Sequence, residues 1–455
     1  MTVKCLPANS PATCTPYCKR EKQQPLSVVR CRTRSMVQSF RKTRLRRLSF
    51  VIFTAIVFAP IDATSAETLA LVGGTLFTAP QDVPIENGVV VLDNGKIVSV
   101  GSADAVDIPS DAETMDASGL YITAGFWNSH VHYIRRLGAA ASMDADALNN
   151  ILGHYFLRRG FVNTFDTGSW LKNTLGIRER IRMGEVNGPR ILTAGSGLVP
   201  PDGTPFYINP TRLPELQSPE NARETVLSEL AAGADAIKLF TGAWASVTSL
   251  IIMEPGIVRA ATDAAHAQGA LVFAHPSDSD GARVAIENGV DILAHVFPAQ
   301  MNGPWDRTLP AEIALRNVAL VPTLKIWRPE LMKAGLPAIN IERNVKAGIA
   351  QTRACHEAGV TILFGTDVGY IYDADTTEEF RLMEQAGMDY KDILASLTTA
   401  PSSRFGFAET EGRIQANFTA DLVLLDSDPR LDVTAYADVA TTIRAGRIVW
   451  QRLTP

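Results

Sequence analysis

Cysteine is scarce and unevenly distributed in this chain. The 455 residues include 5 cysteines, and four of them lie within the first 31 residues: Cys5, Cys14, Cys18 and Cys31. If that segment is removed, only Cys355 remains, which excludes an intrachain disulfide. Cys355 lies in an amphipathic stretch, which predicts a small buried residue rather than a nucleophile. Stability must then come from a large apolar core, and 46% hydrophobic residues are enough to build one.

A membrane-spanning run is also missing, because the longest apolar stretch covers only residues 50–59. Twelve Lys and Arg precede this stretch within residues 1–48, against the single acid Glu21, and small residues follow it at 63–66. This order is typical of a secretory signal. We therefore expect residues 1–66 to be a targeting segment and the mature protein to be periplasmic or secreted. A start at Met36 would give a signal of ordinary length, and an uncleaved anchor is the alternative.

Basic residues are fewer than acidic residues once residues 1–66 are removed. The remainder carries 31 basic and 46 acidic residues, a net charge of about −15. Such an acidic surface argues against nucleic acid as a partner. We expect a small-molecule substrate and no stable membrane span, and self-association into a homo-oligomer is left open.

Short β-like runs occupy both ends of the remaining chain, at 67–122 and 406–455, whereas 123–405 alternates apolar strands with helical patterns. This predicts an α/β fold, a (β/α)8 TIM barrel with a small β-sandwich formed by the N- and C-terminal segments. Two separate β caps and a doubly wound open sheet are the alternatives. The predicted strands of the middle region are Tyr121–Trp127, Phe161–Thr167, Arg190–Gly195, Ala236–Thr241, Leu271–His275, Ile292–Phe297, Ala319–Leu324 and Ile362–Gly365.

Six polar residues with metal-ligand character lie at or just after the ends of these strands. In His-Val-His, alternating residues of an extended segment point the same way and can aim two imidazoles at one ion. Because the carboxyl ends of barrel strands meet at one face, the six should converge there. Each alone could be a core residue or a solvated loop residue, but their shared position favours a metal site. The six are His130, His132, Lys238, His275, His295 and Asp367.

These residues, with the motif Gly125-Phe-Trp-Asn-Ser-His-Val-His132, resemble the metal set of the amidohydrolase superfamily. The closing β segment is similar to its imidazolonepropionase-like branch, which includes Xaa-Pro and Xaa-Arg dipeptidases. The resemblance implies two divalent metal ions, with Zn²⁺ as the expected metal. The first ion would be bound by His130, His132 and Asp367, and the second by His275 and His295. Lys238 would bridge them as a carbamate derived from CO2. One departure is Asn128, where the family commonly has an aspartate, and this affects how the first histidine is oriented.

The implied reaction is hydrolysis of a C–N amide, peptide or cyclic amide bond in a small, dipeptide-like substrate. Metal-activated water would attack, and Asp367 would act as general base. A mononuclear deaminase or cyclic amidase/lactonase is the first alternative, and a non-catalytic binding barrel is the second. Substrate-binding residues are not assigned, although Arg328 could hold a substrate carboxylate as a dipeptidase requires.

Overall fold

The computed structural model describes residues 68–301 and 303–452, so the predicted targeting segment lies outside the described residues. The first part of the described chain is β structure. Asn94 and Gly95, both with positive φ (48° and 76°), form the turn of the predicted hairpin between the second and third strands. The five strands are β1 (Leu69–Leu76), β2 (Ile85–Asp93), β3 (Lys96–Ser102), β4 (Glu113–Asp116) and β5 (Tyr121–Ala124).

Strands and helices alternate through the middle of the chain. The strands are β6 (Phe126–Val131), β7 (Phe161–Asp166), β8 (Arg190–Thr193), β9 (Gly197–Leu198), β10 (Ala236–Phe240), β11 (Gly242–Ser246), β12 (Ser249–Ile252), β13 (Leu271–His275), β14 (Ile292–Ala294) and β15 (Ala319–Val321). The helices are α1 (Ala145–Tyr155), α2 (Leu171–Arg182), α3 (Pro219–Ala231), α4 (Pro255–His266), α5 (Ser279–Glu287), α6 (Leu309–Leu315), α7 (Trp327–Lys333), α8 (Ala338–Glu357), α9 (Thr377–Gln385), α10 (Tyr390–Leu397) and α11 (Thr399–Arg404). Among the residues described, none of these helices combines the length and apolarity needed to cross a membrane.

Most of the middle strands pair in parallel, which confirms the predicted α/β class. One sheet has the order β6-β7-β8 and another the order β15-β14-β13-β10-β9. An extended segment at 361–368 runs between β15 and β6: Leu363 N donates to Leu320 O at 2.9 Å, and Ser129 N donates to Phe364 O at 2.7 Å. The carboxyl ends of these strands therefore lie on a common side, where their polar residues can meet.

The two ends of the chain share one sheet. Its last strands are β16 (Leu422–Leu425), β17 (Val439–Arg444) and β18 (Arg447–Gln451). The order is β18-β17-β16-β5-β1-β2-β3, with β4 paired to β1, and β16 runs antiparallel to β5. A buried apolar cluster draws on both ends of the chain, including Leu71, Val90 and Leu424. The alternative of two separate caps is therefore wrong.

The first predicted strand of the middle region, Tyr121–Trp127, is divided at Gly125. β5 belongs to the terminal sheet, whereas β6 pairs with β7. Gly125 N donates to Asp421 O at 2.8 Å, and a Cβ at this position would lie 2.4 Å from Val162 Cγ2. Only glycine allows the chain to pass this closely from one sheet to the other. As a result His130 lies inside β6, whose six residues are all buried.

Candidate active site

The four predicted histidine ligands form one row of rings. Neighbouring ring centroids are separated by 5.2 Å for His132 and His130, 4.5 Å for His130 and His295, and 4.8 Å for His295 and His275. His275 ends β13, and His295 directly follows β14. Three parallel strands thus bring together imidazoles that are up to 165 residues apart in the chain.

Asp367 lies against the first two histidines. Its Oδ1 is 2.8 Å from Nε2 of His132 and 3.4 Å from Nε2 of His130. One ligand atom from each of the three residues lies within 4.8 Å of the others, a spacing that could hold a metal ion. Asp367 and His295 both have left-handed backbones, with φ of 59° and 76°. Such strain in residues other than glycine concentrates at functional sites.

Several nitrogen and oxygen atoms that could bind a metal here are buried without a hydrogen-bond partner. They include both ring nitrogens of His130 and Oδ1 of Asp367. An unsatisfied buried polar atom costs about 1–3 kcal/mol, so folded proteins rarely keep one without a reason. A bound cation would take up a lone pair from one ring nitrogen of His130 and one from Asp367 Oδ1, and a mixed set of nitrogen and oxygen ligands suits zinc. The residues present therefore fit the metal that the sequence implies.

Lys238, which the sequence predicted at the end of a strand, instead lies in the middle of β10, where its side chain is buried with 2% of the residue exposed. Its ammonium group forms no ion pair with any described residue, and its Nζ lies 5.8 Å from the centroid of the Phe240 ring. The side chain therefore does not extend to solvent, as an ordinary surface lysine would. Burial lowers the pKa of Lys238 to about 7. Part of the amine is then neutral near neutral pH, and the neutral amine is the form that adds CO2, giving a carbamate and releasing a proton.

The electrostatics of the histidines follow from their burial. Burial, assisted by the charge of Lys238, lowers the pKa of His130 to about 3 and holds that of His275 well below its ordinary value. Burial also lowers the pKa of His132, but the nearby carboxylate of Asp367 outweighs it and the pKa is raised. Burial raises the pKa of Asp367, yet the two neighbouring histidines hold it well below its usual range. The shifts of His130, His275 and Asp367 favour a neutral imidazole or an ionised carboxylate, which are the forms that bind a metal, whereas the shift of His132 favours its protonated form while no cation is bound.

Asp166, at the end of β7, is a site residue that the sequence analysis missed. Its Oδ1 accepts hydrogen bonds from Ser169 Oγ (2.5 Å) and Gly168 N (3.3 Å), and its Oδ2 accepts from two threonine hydroxyls, each at 2.9 Å. The carbonyl of Gly168 in turn lies 2.7 Å from Nδ1 of His132. When Nδ1–H donates to this carbonyl, Nε2 is left as the free ligand atom. Asp166 could have been found from the sequence, because it is a carboxylate at the end of a predicted strand.

A second buried carboxylate, Glu379 on α9, supports His295 in a similar way. Glu379 is fully buried and accepts backbone hydrogen bonds from Leu324 N (2.9 Å) and Lys325 N (2.7 Å). These bonds fix the turn that follows Thr323, whose φ is 44°. The Thr323 hydroxyl donates to the Pro322 carbonyl at 2.9 Å, so it is free to accept from Nδ1 of His295 at 2.5 Å. No local pattern in the sequence indicates this role for Glu379.

Asn128 has a clear structural role in place of the expected aspartate. Its Nδ2 donates to Thr366 Oγ1 at 2.8 Å, while its Oδ1 accepts from Thr366 N at 3.2 Å and His130 N at 3.4 Å. An amide can donate and accept at once, which a carboxylate cannot do. Asn128 therefore ties the backbone of His130 to the residue just before Asp367.

Arg328 is not available for the carboxylate role suggested by the sequence. Its guanidinium pairs with Glu342 on α8 and, at 2.9 Å, with Glu378 on α9. Both contacts are within the protein and link α7 to its neighbours. That hypothesis is therefore not supported, and any carboxylate-binding group must be sought elsewhere.

We predict that Asp166→Asn weakens zinc binding about 10- to 100-fold, because the amide cannot accept all four hydrogen bonds and the Gly168 carbonyl loses its position. Competition with a chromophoric chelator would measure the change. Asp263→Asn is the matched control, since Asp263 is exposed on α4 and is not among the hydrogen-bond partners of Asp166. Equal zinc affinities for the wild type and Asp166→Asn would contradict the positioning role.

Comparison with known proteins gives one family and one fold. The model of the Amidohydrolase family matches residues 121–449. A protein from Bifidobacterium longum, provisionally described as a prolidase, is 27% identical, with a TM-score of 0.71 over 85% of this chain and 95% of that one. A Xaa-Pro dipeptidase with bound methionine has a TM-score of 0.73 over 85% of this chain and all of that one. At 20% identity it shows a shared fold only. The resemblance to this superfamily and to its dipeptidase branch is thus confirmed.

A curated relative covers less of the chain. An uncharacterized protein of Mycobacterium bovis is 29% identical over 181 residues, which is 38% of this chain and 46% of that protein. The chain thus spans about half the length of this relative.

Proposed function

The chain belongs to the amidohydrolase family, and from this premise we propose that it is a binuclear metal-dependent hydrolase that cleaves a C–N amide or peptide bond of a small substrate. The observation that carries the proposal is the convergence of His130, His132 and Asp367, with buried nitrogen and oxygen atoms that have no other partner. Lys238 adds to it, because an unpaired buried lysine beside four histidines is costly unless it is neutral or modified.

We further propose that the middle strands close into a (β/α)8 barrel spanning 123–405, flanked by a β-sandwich made from 67–122 and 406–455. Hydrogen bonds join neighbouring strands beyond the two parallel sheets: Asp235 N donates to Thr193 O at 2.7 Å, and 361–368 bonds to both β15 and β6. Secretion to the periplasm or beyond, directed by residues 1–66, is part of the same proposal.

Two bound divalent cations would supply the Lewis acidity that polarises the scissile carbonyl and makes water nucleophilic. His130, His132 and Asp367 would hold one ion, and His275 and His295 the other, with the carbamate of Lys238 between them. Asp367 accepts the proton of the attacking water at a carboxylate oxygen and returns it to the leaving nitrogen. The turns fixed by Asp166 and Glu379 keep the imidazoles of His132 and His295 oriented throughout.

One observation favours a mononuclear deaminase or cyclic amidase as the second candidate. Among the described residues, one group of three His, Cys, Asp or Glu side chains has a spacing that could hold a metal ion, and it consists of His130, His132 and Asp367. A single ion there would need no change to Lys238. The two candidates differ in metal content and in the role of the lysine.

Metal counting combined with a substrate panel tests the proposal. We expect purified protein prepared with zinc and bicarbonate, and without chelators, to hold about two zinc ions per chain by mass spectrometry. It should hydrolyse members of a panel of dipeptides, N-acyl amino acids and cyclic amides, and lose this activity when the metal is removed. One ion and deamination would favour the second candidate. Chelator-resistant activity, or neither metal nor turnover, would contradict both.

A further inference from the structure

Two arginines and three tyrosines lie beside the metal-binding residues on loops that follow different strands. We call them the rim cluster: Arg135, Arg136, Tyr207, Tyr370 and Tyr372. Arg135 is three residues beyond His132, and Tyr370 N donates to Asp367 O at 3.1 Å. The ring centroid of Tyr207 lies 6.0 Å from that of Tyr370, so this phenol belongs to the same group of side chains. The cluster is therefore adjacent to the proposed reaction centre.

Arg135 is an exposed arginine that has no carboxylate partner among the residues the structure describes. Its guanidinium carbon lies 5.0 Å from the Tyr370 ring centroid and 5.2 Å from that of Tyr372. The guanidinium forms one hydrogen bond with the described residues, from Nη1 to the Tyr372 hydroxyl at 3.4 Å. Arg328, by contrast, is paired on two sides. Most of the five N–H donors of Arg135 are thus free for a ligand.

One of the two rings that flank Arg135, that of Tyr370, is held in place by contacts of its own. The Tyr370 hydroxyl donates to Glu330 Oε2 at 2.9 Å, and its ring centroid lies 6.0 Å from that of Tyr207. Arg135 itself has a left-handed backbone, with φ of 53°. This conformation is costly for a residue other than glycine and is kept where the surrounding structure requires it. The guanidinium is thus pre-organised between two aromatic faces.

We propose that Arg135 binds the carboxylate of the substrate, so that the hydrolysed compounds are small amides carrying a free carboxylate together with an apolar or aromatic group that packs on Tyr207 and Tyr370. A guanidinium matches a carboxylate with two parallel hydrogen bonds. A free substrate carboxylate would compete with the scissile amide carbonyl for the metal ions. Binding of this carboxylate by Arg135 would leave the amide carbonyl facing the ions. Arg136, 5.7 Å from the Tyr372 ring centroid, adds a second positive charge in an otherwise acidic protein.

This inference rests on the proposed function, and kinetics test the two together. The substrates are N-acetyl-L-phenylalanine and its amide, N-acetyl-L-phenylalaninamide, whose neutral end cannot form a two-bonded ion pair with an arginine. We expect Arg135→Gln to lower kcat/KM for the acid about 10- to 100-fold, mainly through KM, and to change that for the neutral amide less than about twofold. Arg447→Gln, the same substitution at an exposed position on β18, is the matched control and should leave both values unchanged.

Binding separates failure of the inference from failure of the proposed function. The probes are 3-phenylpropanoate and 3-phenylpropanol, neither of which contains a bond to hydrolyse. We expect the wild type to bind the carboxylate at least about 10-fold more tightly than the alcohol in calorimetry, and Arg135→Gln to lose this preference. That result without any hydrolysis would support the inference and contradict the proposed function. A preference that survives Arg135→Gln, or is absent from the wild type, would overturn the inference even if amides are hydrolysed.

Discussion

We expect Asp367→Asn to lower kcat by at least about 10³-fold at saturating metal, with the protein still folded. Asp367 has two roles in the proposed reaction, since it binds a metal and transfers a proton, and general acid–base catalysis alone contributes about 10²- to 10⁴-fold. The amide can neither accept the water proton nor balance the charge of the cation. Steady-state kinetics in excess zinc, with circular dichroism to check the fold, would measure the loss.

The matched control for this variant is Asp263→Asn, the same substitution at an exposed position on α4. It should leave kcat unchanged. Because the pKa of Asp367 is held well below its usual range by the two histidines, the wild-type carboxylate stays ionised across the neutral range. Turnover by Asp367→Asn within about tenfold of the wild type would mean that another group is the general base.

Lys238→Ala is expected to lose most activity and one of two bound zinc ions, and propionate should restore part of both. The side chain is buried with no partner of its own, so truncation leaves a cavity beside the histidines. A small carboxylic acid can enter this cavity and supply the oxygen ligands that the carbamate would have provided. Zinc counting and kinetics, each with and without propionate, measure the effect.

Lys238→Met serves as the control for this rescue, because its side chain fills the space without offering an oxygen. The substitution removes a buried ionisable group, so we expect stability to be retained. Activity should be lost and propionate should not restore it. Full activity in Lys238→Met, or rescue of Lys238→Met equal to that of Lys238→Ala, would contradict the bridging role.

The sequence predicted the α/β class and the gathering of the four histidines with Asp367 because both follow from local rules. Alternation along a strand puts His130 and His132 on one side, and parallel strands align their carboxyl ends. The division of the first predicted strand at Gly125 was missed, because the apolar residues on either side of this glycine form one continuous β-like pattern in the sequence. What divides them is the close approach of Val162, which is distant in the chain.

The residues that support the ligands were harder to predict. Glu379 acts on a turn 54–55 residues earlier through backbone hydrogen bonds, which no side-chain pattern records. The partners of Arg328 lie on two other helices, so the sequence could not show that this arginine is already paired. Asp166 could have been found, because it ends a strand just as His275 does.

The central claim is that His130, His132, Lys238, His275, His295 and Asp367 together hold two metal ions. Anomalous diffraction at the zinc edge, from crystals grown with zinc and bicarbonate, tests it most directly. The account predicts two peaks about 3.5–4 Å apart, one beside His132 and Asp367 and one beside His275 and His295, with Lys238 extended by a carboxylate between them. No peak at these residues, or a single ion beside an unmodified lysine, would contradict it.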